Sequence, residues 1–88
     1  MTHELSLMAG LLRRLDAISA QEGGAPIVTV RVRLGALAHI SPEHFREHFE
    51  AAAPGTPAEG AELEVEAATD VAADDAQDIV LVSVDVDG

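Results

Sequence analysis

The stretch Ile27-Val28-Thr29-Val30-Arg31-Val32-Arg33-Leu34, closed by Gly35, alternates apolar and polar side chains with a period of two. Val28, Val30, Val32 and Leu34 are predicted to point one way and Thr29, Arg31 and Arg33 the other, the pattern of a strand with one dry and one wet face. Such a strand must lay its dry face against another layer. The segments on either side supply that layer.

Upstream, Leu5, Met8, Leu11, Leu12, Leu15 and Ile18 recur at helical spacing over residues 4–21, with Arg13, Arg14 and Asp16 on other faces. Met8 lies on this stripe and is expected to pack in the core. Gly23-Gly24 supplies a left-handed stop and Pro26 prevents continuation. Downstream, residues 35–40 form a loop to Ser41-Pro42, an N-cap followed by proline at the first helical position, and a second helix is predicted over residues 42–53. Phe45, Phe49 and Ala52 make its inner stripe, and Pro54-Gly55 ends it.

Ala61, Leu63, Val65 and Ala67 alternate with Glu62, Glu64 and Glu66, a second strand whose glutamates, if the strands are neighbours, face Arg31 and Arg33. Residues 69–78 are a polar, acidic, alanine-rich loop. In the last strand, Ile79 to Val86, Val80, Val82, Val84 and Val86 share one face while Ile79 and Leu81 begin the other. The expected fold is α/β (α+β): two helices on a small three-stranded mixed sheet, in the order helix, strand, helix, strand, strand. Residues 1–88 are read as a single domain.

An 88-residue chain has a thin core, and its 48% hydrophobic content is mostly Ala, Val and Leu. With two Phe and no Trp or Tyr, aromatic stacking on nucleic-acid bases is lacking. No cysteine is present, which excludes disulfides and thiolate sites for zinc or iron–sulfur clusters. The net charge of -11 is uneven: all five arginines lie in residues 1–48 with five acids, and the remaining eleven acids lie in residues 49–88 without a base. That surface repels phosphate backbones and anionic lipid, so neither nucleic acid nor membrane is expected as a partner. No apolar run approaches the ~20 residues of a membrane span, and no basic n-region of a signal peptide opens the chain. A cytoplasmic protein is expected. No Gly-rich phosphate loop and no Ser, Cys or Lys in a nucleophile context occurs, so the chain is not read as an enzyme.

Four blocks carry a resemblance: His3-Glu4-Leu5-Ser6-Leu7; Val30-Arg31-Val32-Arg33-Leu34-Gly35-Ala36-Leu37; Pro42-Glu43 followed by Phe45, Phe49 and Glu50; and Ala58-Glu59-Gly60-Ala61-Glu62-Leu63-Glu64-Val65. In this order and spacing they resemble the HypA/HybF family of nickel metallochaperones for hydrogenase maturation. The resemblance implies nickel(II) as the metal, His3 and Glu4 as its ligands, and delivery toward a [NiFe]-hydrogenase large subunit with a HypB-type GTPase as partner. By the same analogy a urease route is open. Family members carry a zinc domain with two CxxC pairs between the last two strands; here residues 67–78 form an acidic loop in its place, and no zinc is expected. A metal-free adaptor that keeps the fold to dock on the maturation machinery is the alternative.

At the amino terminus, Met1-Thr2-His3-Glu4 gathers an amine, an imidazole and a carboxylate, donors that suit a divalent transition metal. Initiator Met is generally removed before a small residue, so the mature chain is expected to begin at Thr2. The Thr2 amine, the deprotonated His3 backbone nitrogen and the His3 imidazole then form two fused chelate rings around three corners of a square, the geometry Ni(II) favours. Glu4 or His39, from the loop after the first strand, is the candidate for the fourth corner. His44 and His48, at i and i+4 on the second helix, lack a third ligand in sequence and are read as a solvated stripe.

Overall fold

A computed structural model describes the backbone of residues 3–87 and the side chains of residues 7–87. Its elements follow in the expected order: α1 (His3–Gln21), β1 (Ile27–Leu34), α2 (Pro42–Ala52), β2 (Glu62–Ala67) and β3 (Ile79–Val86). β1 is central in the sheet, parallel to β2 on one side and antiparallel to β3 on the other. A parallel pair needs a crossover, and α2 provides it between β1 and β2. This is the two-helix, three-stranded mixed-sheet α+β fold that the alternation and helical spacing predict.

One face of the sheet carries the core. Val30, Val32 and Leu34 of β1 pack with Leu63 of β2, with Met8, Leu11 and Leu15 of α1, and with Phe45 and Phe49 of α2. Ile79, Leu81, Val84 and Val86 join from β3. α1 stops where the glycines require: Gly23 and Gly24 hold φ of 73° and 83°, and their amides donate to the Ala20 and Ser19 carbonyls at 3.2 and 2.8 Å. These two bonds form a Schellman cap. The buried Ser19 hydroxyl is satisfied by donating to the Ala25 carbonyl at 2.7 Å.

Two side-chain directions differ from simple alternation. Val28 is not in the core; it is 48% exposed, and Ile27 is buried in its stead. The register runs Ile27↔Val86 and then Thr29↔Asp85, which leaves Val28 as the extra residue of an irregularity. The second break lies where Arg31 pairs with Ser83 but Val32 pairs with Leu81, so that Val82 is unpaired and 51% exposed. An extra residue reverses the in–out parity of the strand beyond it. β3 therefore turns Ile79 and Leu81 inward before the break and Val84 and Val86 inward after it, instead of presenting four valines on one face.

On the outer face Arg31 ties the three strands together. It reaches Glu64 of β2 at 3.4 Å, and Asp85 and Ser83 of β3 at 3.1 and 3.2 Å. The hydrogen bond to Asp85, followed by the charge of Glu64, raises the Arg31 pKa above its ordinary value. Arg33 stands opposite Glu66 in register, but its ion pair is with Asp75 at 3.2 Å. These exposed pairs select a register more than they add stability.

Because β2 and β3 flank β1, the chain leaving β2 has to cross the end of β1 to reach β3. The acidic segment of residues 68–78 makes that crossing as a series of turns, seated on the loop after β1. Ala68 donates to the Leu34 carbonyl, Gly35 to that of Asp78 at 2.8 Å, and Leu37 to that of Ala76 at 2.6 Å, while Ala76 is buried. A Cβ at Gly35 would lie 2.2 Å from the Ala76 carbonyl oxygen and 2.6 Å from that of Asp75. Gly35→Ala should therefore lift the crossing segment and cost about 1–3 kcal/mol, as overpacking does. Chemical denaturation, with hydrogen exchange at the Gly35 and Leu37 amides, checks this; unchanged stability and protection would show that the segment is not seated there.

Candidate metal centre

The residues expected to bind metal fall in two places. His3 is the first residue of α1 and Glu4 comes next in the first turn. Their side chains, and Met1 and Thr2 altogether, lie outside the described residues. At the start of a helix the first four amides have no intrahelical partner, so the His3 amide nitrogen owes nothing to the helix ladder. That leaves it open to the deprotonation that peptide-nitrogen coordination needs.

His39 lies in the loop between β1 and α2, exposed and at φ 59°, in the left-handed region. Histidine is among the residue types enriched there. Its neighbour Ala38 is buried and donates to the Gly35 carbonyl at 3.0 Å, which anchors the loop and leaves the imidazole outside. Among the described residues, no three His, Asp or Glu side chains gather around a point that would hold a metal ion. His39 thus stands on the surface without joining a described cluster.

α2 begins as its sequence predicts. Ser41 is the N-cap, its hydroxyl oxygen accepting from the His44 amide at 3.1 Å, and Pro42 occupies the first turn. Phe45 and Phe49 face inward. His44 and His48, each one residue earlier, project outward with Nε2 atoms 2.9 Å apart and ring centroids 4.6 Å apart. His44 is exposed, as expected of a solvated stripe, whereas His48 is half-buried, and the two rings meet. Spacing signalled that they share a face; only side-chain torsions decided the contact.

A family model described as hydrogenase/urease nickel incorporation, metallochaperone, HypA matches residues 1–74. The chain belongs to the HypA family. Among its relatives is the hydrogenase maturation factor HypA of Chlorobium limicola, 45% identical over 64 residues, which cover 73% of this chain and 55% of the relative. The factor of the same name from Acidithiobacillus ferrooxidans is 43% identical over 63 residues, 72% of this chain and 56% of the relative. That of Methanopyrus kandleri is 36% identical over 64 residues, 73% of this chain and 45% of the relative. The chain spans about half the length of these HypA proteins. The family is one of maturation factors for nickel incorporation, and within these 88 residues this member has no cysteine from which to build a thiolate zinc site. Among the described residues, no helix is long and apolar enough to cross a membrane.

Proposed function

We propose that this HypA-family chain is a non-enzymatic nickel carrier that takes up Ni(II) through His3 and Glu4, with Thr2 and His39 as further candidate ligands. It passes the ion toward a [NiFe]-hydrogenase large subunit in the cytoplasm, with a HypB-type GTPase as partner; the same reasoning admits a urease client. The family match carries this reading, since it spans residues 1–74 and so includes the His3-Glu4 pair. The position of that pair at the head of α1 supports it: the helix begins at His3, so ligands there sit on a fixed scaffold at its end.

The lack of cysteine favours a second reading, in which the chain is an adaptor that docks on the maturation machinery and carries no metal. Nickel titration of the native protein and of His3→Ala, with binding to the GTPase measured beside it, separates the two. A carrier loses its amino-terminal nickel site in the variant. An adaptor shows no amino-terminal uptake in either form and binds its partner equally in both.

Neither reading requires a structural metal. A chelator should leave the far-UV circular dichroism and the melting temperature of the purified protein unchanged, because the core is closed by apolar side chains. Cooperative unfolding on chelation would show that a metal holds the scaffold together.

A further inference from the structure

We propose that His44 and His48 form a second metal site, a bis-imidazole station on the outer face of α2 for a divalent first-row ion that accepts right-angled nitrogen ligands, Ni(II) or Cu(II). The inference stands apart from the reading of His3 and Glu4. The helix that carries the pair is anchored before any metal arrives. Ser41 caps its first turn through the His44 amide, and Phe45 and Phe49, the next residues along, are buried beneath. The backbone spacing of the two imidazoles is thus set by the core.

The separation of the ring nitrogens suits an ion that takes ligands at a right angle. With metal–nitrogen bonds of about 2.0–2.1 Å, two ligands at a right angle are about 2.8–3.0 Å apart, and two at the tetrahedral angle about 3.3–3.4 Å. The Nε2 atoms of His44 and His48 are 2.9 Å apart. At present one ring donates to the other across that gap. Binding needs both rings neutral with the proton on Nδ1, so the donor ring changes tautomer, and a small rotation about the soft terminal torsion turns both lone pairs on the ion. Glu47 lines the same shallow depression, placing a carboxylate beside the incoming cation. Among the described residues no third His, Asp or Glu side chain completes a three-ligand group with the pair, and a bound ion has further coordination positions to fill.

The test uses the full chain with NiCl2 and CuCl2 as probes. In a His3→Ala background, which removes the amino-terminal imidazole, calorimetric titration should retain one site. Adding His44→Ala or His48→Ala should weaken that site at least tenfold. Alanine is favourable in a helix and neither position is in the buried core, so the variants should keep the native circular dichroism. Because the two imidazoles meet only when α2 is folded, Cu(II) should also raise the melting temperature of the His3→Ala protein by several degrees. Both additional variants should abolish that rise. Equal affinity and equal thermal shift with and without His44 or His48 would overturn the proposal; nickel uptake that vanishes with His3→Ala alone would also overturn it, while leaving the His3 reading intact.

Discussion

Replacing His3 by alanine should lower nickel affinity at the amino terminus by at least about 100-fold. The comparison that sets this scale is the 10–100-fold loss typical of removing an outer-shell partner of a metal ligand; a chelating imidazole that binds directly is worth more. The loss should come with little change in folding stability, since His3 is the first residue of α1, where a backbone amide makes no bond in the helix ladder. Glu4→Gln should cost less, because it removes one oxygen donor and leaves the nitrogen chelate intact. Affinity should also fall as pH is lowered, because the amine, the imidazole and the backbone nitrogen must each be free of their proton to bind. Isothermal titration at two pH values, alongside denaturation of the same samples, measures all of this. Nickel affinity unchanged in His3→Ala would remove His3 from the mechanism.

The largest effect on the scaffold is expected from Phe45→Ala. Phe45 is 0% exposed, and Phe49, one turn on, is the only other aromatic residue of the Phe, Tyr and Trp class in the chain. Truncating a buried Phe to Ala costs about 3–5 kcal/mol. A domain of this length is stable by roughly 4–13 kcal/mol in total, at 0.05–0.15 kcal/mol per residue. The variant should therefore lose a large share of its stability and melt on the order of 20 °C lower. Phe45→Leu, which keeps most of the volume, should lose much less. A melting temperature that hardly moves in Phe45→Ala would mean that α2 is not held on the sheet through this ring.

The two substitutions act on different parts of the molecule, and their separation bears on the carrier reading. Phe45→Ala should weaken any property that needs a folded α2. His3→Ala should abolish a single property and leave the fold in place. A carrier built on a fixed scaffold requires that separation.

The periodicity of the chain identified all five elements, and the limits of β1 and β3 agree residue for residue with the structure. α1 begins one residue before the predicted helix, and β2 one residue after its first alternating alanine. Such agreement is physical: alternation, helical spacing, glycine stops and the Ser41-Pro42 start are local, and each acts within a few residues of where it is read. The amino-terminal candidate ligands were legible by resemblance to a family, since no periodicity marks a metal site of two residues.

Packing settled whatever depends on pairing between distant segments. Whether Val28 and Val82 face the core rests on two register breaks between β1 and β3, and no alternation within either strand announces them. Arg33 was free to pair with its register neighbour Glu66, yet it meets Asp75, because the crossing segment is drawn over the end of β1 by the order β2-β1-β3. The same crossing explains why position 35 is glycine, with a carbonyl lying where a side chain would be. The His44–His48 contact belongs with these: i, i+4 spacing puts two imidazoles on one face, but the 2.9 Å between them is set by how the rings turn on a helix held from below by Phe45 and Phe49. The elements, their order and the dry face of each helix could be read from the chain alone, because those are local periodicities; register, loop seating and ring contacts were left to the fold, because each joins residues that meet only once the chain is packed.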